Sequence, residues 1–266
     1  FDLTMTKMSV GADIVESNVF KSITIYEIEM EYIGNDGKSM DILKNLSTLL
    51  MLVEDNNILL TTDIKQNIID TYLETIGKYT ENNLGRGLTA YEDDVRSKFI
   101  AVNPITLHRK NIMSNKNVQN IIDTEYAVTP KADGTRNLLV VHIGGEMYRF
   151  NINFDISAFG FIASNWDGTI IEGEYVDDKD IFLSYDMLFY KGEDIRSRHL
   201  IYNKTERGKG NKGRHELLNE FISSKFTKTF ENASTEIIMK DFEYSSGGNS
   251  IYEKSADKSK LWQHFQ

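Results

Sequence analysis

The 266-residue chain contains no cysteine, which excludes disulfides and thiolate metal sites and suits a reducing compartment. No apolar run approaches the ~20 residues of a membrane-spanning helix. The opening Phe1-Asp2-Leu3-Thr4 has no basic segment of the kind that starts a secretory signal. Internal repeats and low-complexity tracts are also lacking. His142, His199 and His215 show no metal-ligand spacing such as His-x3-His, so none is assigned a role. One sign of charge is in short supply: the net charge is −10. The deficit of basic groups is concentrated before residue 126, with 12 basic against 19 acidic side chains there and 18 against 21 after it. Such a surface argues against broad coating of a phosphate backbone, though a locally basic cleft could still hold an RNA end.

Hydrophobic residues make up 40% of the chain, enough for a core, and the length suits one large or two modest domains. Residues 20–33 read as a strand in which Glu27, Glu29 and Glu31 alternate with Ile28, Met30 and Tyr32, so three carboxylates share a face. Residues 41–53 and 63–79 have helical periodicity, and Asp63 with Gln66 resembles a capping box. A glycine-rich break at 82–87 places the domain boundary near 90–105. Short strands follow at 126–131, 136–143, 146–152, 169–176 and 181–189, with Gly144-Gly145 as a hairpin turn. Residues 216–226 read as a helix, 237–244 as a strand and 252–265 as a helix. The basic, glycine-containing stretch 191–215 reads as a solvated loop within reach of RNA phosphates. Antiparallel strands with peripheral helices make an α+β class.

The chemistry concentrates in Lys131-Ala132-Asp133-Gly134-Thr135-Arg136, set between apolar segments. A lysine beside an Asp-Gly turn suits a nucleophilic amine, provided a phosphate-binding cleft can deprotonate it from its ordinary value of ~10.4. Small residues beside it would let a nucleotide approach the backbone. Taken alone the hexapeptide reads more readily as an ordinary turn. About forty residues on come Glu172-Gly173-Glu174 and Tyr185-Asp186, each on a β-type pattern.

Together these motifs resemble the covalent nucleotidyltransferases, the mRNA capping guanylyltransferases and nucleotide-dependent ligases. Two further stretches are similar to the capping enzymes of large DNA viruses of the poxvirus and asfarvirus kind. These are Asn103-Pro104-Ile105-Thr106-Leu107-His108-Arg109-Lys110-Asn111 and the Glu27/Glu29/Glu31 strand. The resemblance implies that residues 1–100 are the C-terminal part of an RNA triphosphatase-like β-tunnel domain. It makes 101–266 a guanylyltransferase domain lacking its later motifs and leaves the tunnel incomplete, so that the 266 residues by themselves form no efficient adduct and show no triphosphatase turnover. It makes Lys131 the nucleophile that accepts GMP from GTP and passes it to 5′-diphosphate RNA. Asp133, Gly134, Arg136 and Glu174 would then bind nucleotide, Tyr185 would stack on the purine, and Glu27, Glu29 and Glu31 would hold Mg2+ or Mn2+. Glu172 stands where the family has aspartate, and Ile152 or Asn153 where it has a ribose-gripping arginine. The implied partners are GTP, the 5′ end of RNA, and a methyltransferase domain or further capping subunits. The implied setting is cytoplasmic, viral factories and virions included, with no membrane. An ATP-dependent polynucleotide ligase and a non-catalytic scaffold of a capping complex are the alternatives.

Overall fold

The computed structural model describes residues 2–7, 19–21, 24–29, 39–53, 59–77, 98–101, 104, 106, 108, 125–202, 211–224, 226–228 and 236–246. The chain forms two compact units, Phe1–Asp55 and Asn56–Gln266.

In the first unit, β1 (Asp2–Lys7) pairs antiparallel with β2 (Thr24–Glu29), and a helix follows, α1 (Ser39–Val53). Alternation puts Glu27 and Glu29 on one side of β2, opposite Thr4 and Asp2 of β1. Tyr26 and Ile28, on the other side, are exposed rather than buried. Two strands alone enclose nothing, so the described residues contain no tunnel. Glu31 lies outside them.

The second unit is built on one eight-stranded sheet in the order β10-β6-β5-β4-β7-β8-β11, with β9 beside β8. Its strands are β4 (Thr135–Val141), β5 (Glu146–Asn151), β6 (Ile156–Ile162), β7 (Ile170–Val176), β8 (Ile181–Tyr190), β9 (Glu193–Asp194), β10 (Phe226–Lys228) and β11 (Glu236–Met239). All neighbours are antiparallel except β11 and β8. Leu138 and Val140 of β4 pack on one face with α2 (Thr62–Thr75), whereas Leu139 and Val141 pack on the other with α3 (Arg214–Ile222). The uninterrupted apolar run of β4 is thus that of a strand covered on both sides.

Helix α2 corrects the expected boundary. The sequence pattern assigns it to the first domain, but Ile68, Ile69, Tyr72 and Leu73 are buried against the sheet. The chain therefore divides near residue 55, not near residue 100. Nor does Asp63 cap the helix: Thr61 does, its hydroxyl accepting from the Ile64 N–H. Gln66 instead donates to Asp70 at 3.0 Å.

The Gly144-Gly145 turn forms as expected, with φ of 85° and 83°. Strand β6 was not legible. Ahead of it, the Asn151 side chain accepts from the Asn153 and Asp155 N–H groups at 2.8 and 3.0 Å. The turn they close brings Ile152 into solvent. The expected strand at 237–244 is two strands, because β12 (Glu243–Ser246) leaves the main sheet to pair with β3 (Glu125–Val128).

Candidate active site

Strand β3 leads into Lys131, and the loop from Lys131 to Gly134 leads into β4. Gly134 explains how this loop lies so close to β7. A Cβ there would sit 2.7 Å from the Tyr175 carbonyl oxygen, inside contact distance. The glycine is thus needed for packing on β7, independently of any ligand. Gly173 is similarly constrained, since a Cβ would meet the Phe182 ring at 2.5 Å. That holds Glu172 and Glu174 at fixed positions on either side of it.

A cleft of about 610 Å³ opens here, lined by Lys131, Gly134, Arg136, Glu172, Glu174 and Tyr185 among others. Its size falls within the ~300–1,000 Å³ of small-ligand sites. Residues up to 55 positions from Lys131 by sequence number are recruited through the register: Arg136 stands opposite Glu174, and Glu172 opposite Asp186.

Three carboxylates in the cleft each hold a cation. Glu172 is buried, and its Oε1 accepts from Arg136 Nε at 2.7 Å, from a second nitrogen of Arg136, and from the Tyr185 hydroxyl at 2.8 Å. Asp186 accepts from Arg214 Nε at 2.9 Å. Glu174 accepts from Lys240 Nζ at 3.2 Å. The Lys240 ammonium also stands 5.5 Å from the centre of the Tyr185 ring. Burial opposes the charge on Arg136, yet its bonds and attraction to Glu172 hold the guanidinium pKa above its ordinary value. Burial, then the Glu172 charge, pushes the Tyr185 phenol well up. Burial also raises Asp186 to about 6 against the pull of Arg214. It lowers His215, at the head of α3, to about 4, with help from the Arg214 charge.

Lys131 differs from these cations. It is exposed, its Nζ donates to the Ala132 carbonyl at 3.4 Å, and among the described residues no carboxylate pairs with it. Among the described residues the cleft thus presents four cations to three carboxylates, and the surplus amine is Lys131. An anion such as a phosphate would complete that balance.

Asp133 is exposed and does not line the cleft. Asn153 lies in the β5–β6 turn, also away from it. Glu27 and Glu29 belong to the first unit. Among the described residues no three His, Asp or Glu side chains could jointly hold a metal ion, and Glu31, the third of the expected glutamate set, lies outside them. The upstream stretch 103–111 contributes Pro104 to the cleft, and most of its remainder lies outside the described residues.

Sequence reasoning missed Arg214, His215, Lys240 and Phe242 as cleft residues. Arg214 closes the basic stretch read as a solvated loop. It is half-enclosed, holding Asp186 and the carbonyls of Arg196 and Arg198. Its only signal was its place at the start of a helix. Lys240 follows a β-type run, but its partner Glu174 is 66 positions away, and no local pattern reveals such a pairing.

The second unit is thus an antiparallel-rich α+β domain whose cleft carries, among the described residues, one lysine without a carboxylate partner. The chain is similar, at 25% identity over 186 residues, to a probable mRNA-capping enzyme of Acanthamoeba polyphaga mimivirus. The match covers 67% of this chain and 14% of that relative's length. It supports a relationship to viral capping enzymes in general. No family model matches the chain, and among the described residues no helix is long and apolar enough to cross a membrane.

Proposed function

We propose that residues 56–266 act in mRNA capping as a guanylyltransferase region with Lys131 as the nucleophile. The observation that carries this reading is the unpaired Lys131 amine in a cleft whose other cations are neutralised. The amine lone pair forms a P–N bond to the α-phosphorus of GTP, the bond from that phosphorus to the bridging oxygen breaks, pyrophosphate leaves, and the amine proton passes to solvent. A terminal oxygen of 5′-diphosphate RNA then attacks the same phosphorus, the P–N bond breaks, the lysine nitrogen takes back a proton from solvent, and a GpppN end is left. Lys131 and Arg136 would draw the phosphates in. The Glu172 bond to Arg136, with the Tyr185 hydroxyl donating to the same Glu172 oxygen, keeps that guanidinium in a single orientation, so little reorganisation is needed at reaction. Mg2+ or Mn2+ would enter as counter-ion of the triphosphate.

For the first unit we propose an RNA triphosphatase role on the placement of Glu27 and Glu29 on one face of β2. Asp133, further capping subunits and a methyltransferase partner belong to the proposal on resemblance alone.

The test is to incubate the full-length gene product with α-labelled GTP or ATP and run it on a denaturing gel. Label from GTP that survives denaturation and disappears in Lys131→Ala is the expected result. Label from ATP alone would point to a ligase. A Lys131→Ala protein that still caps RNA would reduce the region to a scaffold.

A further inference from the structure

The residue the mechanism leaves unused is His215, which is almost wholly buried at the head of α3. Its Nε2 lies 2.8 Å from the Tyr185 carbonyl oxygen of β8. A carbonyl only accepts, so Nε2 carries the proton and Nδ1 offers a lone pair. That lone pair faces the Tyr244 hydroxyl of β12, which therefore donates to it. One imidazole thus bridges β8 and β12.

The bridge spans two separate sheets. Strands β12 and β3 form a two-stranded ribbon, and among the described residues no ladder bond joins it to the eight-stranded sheet. Tyr244 stands opposite Ala127, and Glu243 opposite Val128. Three residues after Val128 comes Lys131. Phe242 packs against the same imidazole with ring centres 4.5 Å apart, and it lines the cleft. On the other side of the bridge, Tyr185 is the residue whose hydroxyl holds Glu172, and through it Arg136.

We propose that His215 is a positioning residue, a neutral clasp that sets the β3–β12 ribbon, and hence Lys131, against the Arg136–Glu172–Tyr185 cluster. This rests on the reading of Lys131 as nucleophile. The groups around the imidazole are Tyr185 and Asp186 of β8, Arg214 of α3, Tyr244 of β12 and Lys240 ahead of it. The Arg214 charge and the burial both keep the ring neutral, the state in which Nδ1 accepts. A clasp of this kind acts on attack geometry more than on ligand affinity, because a ~1 Å displacement of a reacting group can cost on the order of 100-fold in rate.

The test uses the full-length protein as wild type, Tyr244→Phe, His215→Ala, His215→Gln and the Tyr244→Phe/His215→Ala double variant. Single-turnover transfer from labelled GTP gives the rate, and its dependence on GTP concentration gives apparent affinity. Hydrogen exchange is followed at the amides of β3 and β12. We expect Tyr244→Phe to slow transfer by about tenfold with apparent affinity changed less than about threefold. We expect His215→Gln, which keeps a donor and an acceptor, to recover part of the loss seen in His215→Ala. The double variant should be no slower than His215→Ala, since both remove one bridge. Exchange should quicken in the ribbon but not in β4 and β7. Should His215→Ala fail to fold, Tyr244→Phe decides alone. Unchanged transfer together with unchanged ribbon exchange in Tyr244→Phe overturns the clasp while wild-type labelling stands. If wild type takes no label from GTP, the guanylyltransferase reading fails, and ribbon exchange in Tyr244→Phe still decides whether His215 clasps the two sheets.

Discussion

Replacing Glu172 by glutamine tests the electrostatics of the cleft most directly. Its carboxylate is nearly sealed from water, with 5% of the side chain exposed, while the paired Arg136 is 24% exposed. Removing one partner of a fully buried pair costs ~3–5 kcal/mol, because the remaining charge is stranded. Here solvent reaches the guanidinium and screens part of that penalty, so ~2–3 kcal/mol is expected. In a domain of this size that corresponds to a fall in Tm of about 5–10 °C. Thermal unfolding followed by circular dichroism measures it. The Tyr185 phenol provides a local readout, because the Glu172 charge, second to burial, helps keep it protonated. In Glu172→Gln the phenol should ionise at a lower pH than in wild type, visible in phenolate ultraviolet absorbance. Adding Arg136→Met should recover much of the lost stability, since an apolar side chain leaves no stranded charge. A loss under ~1 kcal/mol, with tyrosine ionisation unmoved, would refute the account of Glu172 as the acceptor that orders Arg136 and Tyr185.

Three further outcomes are expected. His215 is lowered to about 4, so its contribution to stability is present above its ordinary value of 6.5 and lost as pH falls toward 4. Asp186 is raised to about 6, so its contribution is present below 3.8 and lost as pH rises through 6. Between pH 4 and 6 the two slopes oppose each other, each at most about 3 kcal/mol across its range. Urea unfolding across that window should show His215→Gln gaining stability relative to wild type as pH falls, and parallel curves would contradict the opposition. Gly134→Ala should cost about 1–3 kcal/mol in urea unfolding, because the added methyl meets the Tyr175 carbonyl and must lift the Lys131 loop off β7. An unaltered midpoint would show that the loop relaxes freely. Lys131→Ala, by contrast, should leave Tm within about 1 °C of wild type, as expected for an exposed side chain without a strong partner. A large loss would mean that Lys131 has a structural partner.

Much of the cleft could be read from the chain because its motifs are local. Lys131 through Arg136 and Glu172 through Glu174 each span only a few residues, and alternation along a strand brings their side chains to one place once β4 and β7 pair. The helical periods of α1, α2 and α3 were visible for the same reason, as was the Gly144-Gly145 turn. Strand β6 was not, since Asn151 and Asp155 close a turn that a strand pattern over 146–152 runs into.

The order of residues alone determined the reactive hexapeptide, the apolar run Leu138 to Val141, and the helical period of α2, because periodicity and composition are properties of neighbours. Where that helix docks, which cation each carboxylate holds, and that Lys131 is the one left over were decided only by the tertiary structure. Those outcomes depend on pairings such as Lys240 with Glu174 or His215 with Tyr244, and no local rule ties residues so far apart along the chain.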